Sequence, residues 1–149
     1  MIRARPYCAG DLALIEVQPE QTIEARLALD GGADAAAQCG VAYTIVRAGV
    51  PVACGGLMPL WRGVATAWGF ATPLDGRLGV AIRTQVRAAI GALEAAAGGL
   101  RRIEATARAD FAAAQRFLVA LGFEREALLR AYGPDGGDYW LYAWLGARS

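Results

Sequence analysis

The chain has 149 residues, 56% of them hydrophobic, and a formal net charge of +1, so it is the size of one ordinary domain and carries no charge excess that would draw nucleic acid or an acidic membrane. All 15 basic residues are Arg; His, Lys and Asn are absent, and the one Ser is Ser149. Those absences remove hydrolases that need a His base, Walker nucleotide sites and Schiff-base enzymes that need Lys, and any His-based metal site. The cysteines, Cys8, Cys39 and Cys54, lack the paired spacing of a zinc site and are expected to be reduced. No apolar run reaches the roughly 18 residues of a membrane helix. The start, M-I-R-A-R-P-Y, lacks the apolar core of a signal peptide, so a cytoplasmic protein is expected.

In chain order, Ile2 to Arg5 reads as a short strand broken by Pro6 and Gly10. Asp11 suits the N-cap of a helix carrying Leu12, Leu14 and Ile15. Pro19 fits the first turn of a second helix that runs to Leu29 and ends at Asp30-Gly31-Gly32. Ala33 to Gly40 is small-residue sequence without a clear period. Val41 to Val46 alternates with period two and reads as a strand. Arg47-Ala48-Gly49 is a tight turn into a second strand, Val50 to Leu57, with Met58 to Gly63 as the next connection. Val64 to Ala71 is a third strand, which completes an antiparallel meander. After Thr72-Pro73-Leu74-Asp75-Gly76, a long helix is expected from Val80 to Ala97, with Ile82, Val86, Ile90 and Leu93 on its buried stripe. Arg101 to Ala107 is a strand, parallel to Val64–Ala71 because a helix crosses between them. Asp110 is placed as the N-cap of a helix with Phe111, Ala114, Phe117, Leu118 and Leu121 on one face, stopped by Gly122. Phe123 to Tyr132 and Asp138 to Leu145 form a last hairpin around G-P-D-G-G. The expected fold is a single α/β (α+β) domain over residues 1–149, with a mixed, mostly antiparallel sheet of six or seven strands and about four helices.

This order, with Ala114, Phe117 and Gly122-Phe123 at the second helix-to-strand junction, resembles the GCN5-related N-acetyltransferase (GNAT) superfamily. The hairpin E-x-E-A-L-L-R-A-Y-G-P-D-G-G-D-Y-W-L-Y is similar to that family's last hairpin, and Pro51 to Gly56 looks like its strand ending in a small-residue turn. D-L-A-L-I-E-V-Q-P-E-Q, with Trp61, Ala65, Ala67 and Trp68, looks most like a phage- and prophage-encoded branch.

The resemblance implies an acetyl-CoA-dependent N-acyltransferase that acts on a small-molecule or protein amine. Pyrophosphate would sit on a Q/R-x-x-G-x-G/A loop at the start of the crossover helix, where backbone amides and the helix dipole suit an anion. Here Gly79 and Ala81 match the end of that loop, Gly76 stands at its first position, and Arg77 lies one residue on. The resemblance therefore assigns Gly79, Val80 and Ala81 to the pyrophosphate, with Arg77 and Arg83 beside it. Trp68, Gly69, Phe70 and Ala71 would hold the pantetheine arm between splayed strands. The family's acid Tyr is replaced by Leu118, and its earlier Asn position holds Phe111. Tyr132, Tyr139 or Tyr142 could supply an acid, or simply pack. Glu104, the one carboxylate in the central sheet region, could serve as base, or be structural while water takes the proton. Cys54 has no His or Lys to lower its pKa and reads as a buried small residue; Trp61 reads as a surface contact. The alternative is a catalytically degenerate GNAT-fold protein, either a structural or accessory component of a phage, prophage or gene-transfer particle, and so virion-associated, or a CoA-binding regulator. A homodimer paired through the C-terminal strands is left open.

Overall fold

The first half of the molecule is built by period-two alternation between tight glycine turns. The computed structural model describes residues 1–146. Among these, strands β1 (Ile2–Pro6), β2 (Val41–Arg47), β3 (Val50–Trp61), β4 (Val64–Ala71), β5 (Arg102–Arg108), β6 (Glu124–Leu129) and β7 (Tyr139–Leu145) form one sheet in the order β1-β2-β3-β4-β5-β7-β6. Every neighbouring pair is antiparallel except β4 and β5, which run parallel. The parallel pair is the consequence of the crossover helix α3 (Gly76–Ala97) between them. The remaining helices are α1 (Thr22–Leu27), α2 (Ala33–Cys39) and α4 (Ala112–Ala120). The expected mixed, mostly antiparallel α+β architecture is present.

Several boundaries differ from the sequence reading, each for a local reason. Gly55 and Gly56 do not end a strand: β3 runs on to Trp61, pairing them with Gly69 and Trp68. A Cβ on Gly56 would stand 2.3 Å from the Val41 carbonyl oxygen, so the glycine serves close strand approach. The crossover helix starts at Gly76, not Val80, because the Asp75 side chain accepts the Leu78 N–H and caps it. The opposite holds for α4: its N-cap is Phe111, without a side-chain cap bond, and Asp110 is instead paired with Arg108 at 3.1 Å. The α4 stop is as expected. Gly122 has φ +101°, its N–H donates to Val119 O, and the Phe123 N–H donates to Leu118 O, both at 3.0 Å. These two bonds form a Schellman motif. The unassigned Ala33–Gly40 stretch forms α2, entered through a kink at Asp30 and Gly31. β6 ends at Leu129, short of the expected Tyr132.

Helices cover both faces. On one, which we call the back, Leu78 and Ile82 of α3 pack against Tyr43, Ile45, Ala53 and Ala71, and Ala89 and Leu93 pack near Leu57, Ala65 and Ile103. On the front, Ala25 of α1 and Ala33 of α2 join Leu12 and Ile15 over Cys54 and Phe70. The front layer is anchored by Asp11. It is not a helix N-cap, since that place belongs to Gly10 in a short 3-10 turn, Asp11–Leu14. Its carboxylate is 4% exposed and accepts from Arg5 (2.7 and 3.0 Å), Thr44 Oγ1 (2.6 Å) and the Cys8 N–H (2.8 Å).

Burial alone would raise the Asp11 pKa, but the bonds from Arg5, Thr44 and Cys8 outweigh it and bring it down to about 2 from 3.8. A depressed folded-state pKa contributes stability above the unfolded value that is lost as pH falls towards the folded one. Asp11→Asn is therefore expected to cost about 2 kcal/mol at neutral pH and to flatten the loss of stability between pH 4 and 2. Urea midpoints measured across that range check both.

Candidate active site

The parallel pair is incomplete. β4 and β5 are in register only at Val64↔Arg102, Ala65↔Ile103 and Thr66↔Glu104. Beyond that point β4 stays paired with β3 as far as Ala71, and β5 with β7 as far as Arg108. The sheet opens between them, and the opening is a cavity of about 260 Å³. Its edges are Ala67 to Ala71 and Ala105 to Arg108. Behind, Ile82 and Val86 of α3 and Ala114, Phe117 and Leu118 of α4 make an apolar roof. In front, the lining is polar: Gln18, Gln21 and Glu24. The cavity thus passes through the plane of the sheet and joins an apolar slot to a polar mouth.

The four residues expected to hold pantetheine, Trp68, Gly69, Phe70 and Ala71, all line this cavity. Trp68 Nε1 is buried without a hydrogen-bond partner, leaving a donor for a bound acceptor, since a buried unpaired donor costs about 1–3 kcal/mol. The pyrophosphate assignment needs correction. Gly79, Val80 and Ala81 lie inside α3, and the Gly79 N–H already donates to Asp75 O at 2.9 Å. The amides of Val80 and Ala81 are likewise spent on the carbonyls one turn back. The first-turn amides without a helix carbonyl are those of Gly76, Arg77 and Leu78, and those of Arg77 and Leu78 face the Asp75 carboxylate. Asp75 stands over this helix end: it accepts the Leu78 N–H at 2.9 Å and pairs with both Arg47 nitrogens at 2.9 Å. The Arg47 bonds, with help from the helix amides, hold its pKa at about 2. Arg77 and Arg83 are exposed near this end, and neither makes an ion pair among the described residues.

The expected catalytic groups divide. Glu104 does not line the cavity; Arg102 holds its carboxylate at 2.8 Å and also binds Glu126 at 2.6 Å. Tyr132 is 57% exposed and away from the cavity lining, its ring 5.4 Å from that of Tyr139. Tyr142 sits in the core, its hydroxyl contacted by Arg125 at 3.2 Å. Cys54 is buried and its thiol is pushed up to about 12 by burial, in keeping with an inert residue. Trp61 is 64% exposed at the end of β3. Leu118 lines the cavity where a hydroxyl was missed. Tyr139 does not line the cavity either, but its hydroxyl donates to Oε1 of Glu24, which does.

Glu24 is the residue that sequence reasoning missed. It projects from α1 into the mouth, and its partner lies 115 residues away. Burial raises its pKa above the usual carboxylate value, against the Tyr139 bond and the charge of Arg108, which favour the ionised form. Burial likewise raises the Tyr139 pKa, and so does its bond to Glu24, so Tyr139 acts as a donor that orients the carboxylate. Arg108 stands over the Tyr139 ring at 5.9 Å and is itself held by Asp110 at 3.1 Å and Asp135 at 3.0 Å. Chemically, the mouth offers a carboxylate poised to take a proton, next to an apolar slot between two parted strands. Tyr139→Phe, which deletes a donor to the ionised form, is expected to move the Glu24 titration further up; carboxyl NMR of the labelled protein measures it.

No family model and no curated protein matches the sequence. Solved structures do match its fold. The ribosomal-protein-S18-alanine N-acetyltransferase from Escherichia coli is similar at a TM-score of 0.70 with 22% identity, over 100% of this chain and 96% of that one. Ard1 from Thermoplasma volcanium gives 0.71 with 18% identity over 99% of both chains. A GNAT family acetyltransferase from Elizabethkingia anophelis with acetyl-CoA bound gives 0.68 with 12% identity over 97% of both. The splayed β4–β5 pair, the crossover helix and the terminal hairpin thus assemble, over the full described length, into the fold of the GNAT acetyltransferases.

Proposed function

We propose that this protein is an acyl-CoA-dependent N-acetyltransferase that acetylates an amine presented to Glu24. The observation that carries the reading is the cavity through the sheet, with an apolar slot on the α3–α4 side and a single carboxylate, Glu24, at the opposite mouth. The slot fits the acyl donor: its walls are apolar, the β4–β5 pairing ends along it, and α3 begins two residues after Leu74 of its lining. Arg77 and Arg83 would meet the phosphates there. Bound acetyl-CoA supplies an acetyl thioester and a thiolate leaving group, whose conjugate thiol, with a pKa near ~8.5, leaves without much help.

The chain's own work is then orientation and proton removal. β4 and β5 hold the thioester in line with the mouth. Glu24, fixed by the Tyr139 hydroxyl, takes a proton from the attacking amine. Burial raises the Glu24 pKa, which makes it a stronger base than an ordinary carboxylate. Burial by α4 excludes water from the slot. Leu118 has no proton to give, so the chain would supply no acid to the leaving group from this position.

A second reading is a GNAT-fold protein that has lost transfer and serves as a structural or accessory component. Leu118 in the slot and the Asp75 carboxylate over the helix end favour it. Calorimetric titration with acetyl-CoA, followed by thiol release in the presence of a panel of amines, separates the two. The transferase reading expects saturable heat, an affinity loss of about tenfold in Arg77→Ala or Arg83→Ala, and a fall in kcat of about 100-fold or more in Glu24→Gln with acetyl-CoA affinity unchanged. No heat at millimolar acetyl-CoA overturns it.

A further inference from the structure

The open edge of β4 is not bare. The Thr72 N–H donates to Val52 O on β3 at 2.9 Å. In an antiparallel ladder the bonding direction alternates along the strand. The N–H and C=O of Ala71, and of Gly69 two residues earlier, therefore point away from β3, into the gap that β5 leaves. One short segment meets three of these groups. Gln21 Nε2 donates to Gly69 O at 3.0 Å, the Ala71 N–H donates to Gln21 Oε1 at 3.0 Å, and the Gln18 N–H donates to Ala71 O at 2.9 Å. A primary amide carries the same donor and acceptor as a peptide group. Gln21 thus pairs with β4 as one residue of a missing strand would.

We propose that Gln21 is a side-chain stand-in for the amide-bearing arm of the acyl donor, and that the donor binds by exchanging its own amides for that of Gln21. The inference rests on the acyl-CoA reading. The physical reason for a stand-in is the cost of the alternative: strand groups facing an apolar cavity without partners would have given up their water for no bond in return. Gln21 removes that cost while the slot holds no donor. Its bonds are of ordinary length and it sits in a 3-10 turn, Pro19–Gln21, on the polar mouth. Its retreat toward the mouth therefore requires no movement of β4. The arm then makes the bonds that Gln21 gives up, so the exchange sets affinity: Gln21 is a competitor covalently attached to its own site.

The test compares wild type with Gln21→Ala and Gln21→Glu by calorimetry, using acetyl-CoA and, as a probe without phosphates, pantetheine. Deleting the competitor is expected to tighten both ligands about tenfold in Gln21→Ala while lowering the Tm of the free protein, and the Tm values of the two proteins should converge at saturating acetyl-CoA. Gln21→Glu keeps an acceptor for Ala71 but sets a second acceptor against the Gly69 oxygen, so it should also bind both ligands more tightly than wild type. A residue that only braced the fold would lose affinity and Tm together. If wild type binds acetyl-CoA and both variants bind it equally or more weakly, the exchange is wrong and the acyl-CoA reading stands. If none of the three binds, both fall. A crystal structure with acetyl-CoA in which Gln21 still bridges Gly69 and Ala71 also overturns the exchange, whatever the stability of the variants.

Discussion

The parting of β4 from β5 governs the rest of the molecule. A sheet that opens in its middle exposes backbone donors and acceptors to an interior, where they cannot be left unpaired cheaply. Here the register ends after Thr66↔Glu104, and everything beyond is arranged around that break. α3 and α4 roof one side with Ile82, Val86, Phe117 and Leu118, and the Pro19–Gln21 turn and α1 bring Gln21 and Glu24 to the other. The outer strands stay closed because β5 is fully paired with β7, and β4 with β3. The gap is thus rigidly framed and has no route to heal itself by strand pairing. The β4 groups that face the gap are met instead by Gln18 and Gln21, so the break is satisfied by side chain and turn where a strand is missing.

Charge is handled with one kind of cation. Arg5, Arg47, Arg102 and Arg108 each hold a carboxylate near an element end, and Arg102 and Arg108 hold two apiece. The planar guanidinium suits this work because it can present two parallel donors to one carboxylate, as Arg5 does to Asp11. The consequence at the site is asymmetric. Glu104 is taken up in such a pair and withdrawn from chemistry, whereas Glu24 is met by a neutral hydroxyl and stays basic. Asp75 shows the same logic at the start of α3, where a carboxylate satisfies the helix amides and Arg47 neutralises it. The start of α3 is therefore already served by an anion of the chain.

What the sequence made legible was local. The β2–β4 meander and the Gly122 stop could be read because alternation and a positive-φ glycine are decided within a few residues. Asp110 was misplaced because its residue type suits a cap, yet Arg108, two residues back, claims its carboxylate. The true cap, Asp75, was hidden in Pro73-Leu74-Asp75-Gly76, which reads as a turn. Of the site, the β4 wall was legible, since it lies within one strand. Gln21 and Glu24 were not: on a short helix a polar side chain facing a cavity looks like one facing solvent. Their partners lie 48, 50 and 115 residues away, and only the folded sheet brings them into reach.

Under the proposed transferase reading, Leu118 bears on which half of the reaction the chain would assist. A thiolate is a far better leaving group than an amine or alkoxide, so an acid aimed at sulfur contributes less than a base aimed at nitrogen. An ammonium, by contrast, has no lone pair until a proton is removed, and in a mouth partly withdrawn from water the proton needs a fixed acceptor. Glu24 stands at that end of the cavity, and its pKa is moved in the direction that strengthens a base. A leucine at the sulfur end adds apolar surface where exclusion of water matters more than a proton. Under that reading, Leu118 in the slot and Glu24 at the mouth are consistent with one another: the site would keep the proton transfer the chemistry demands and do without the other.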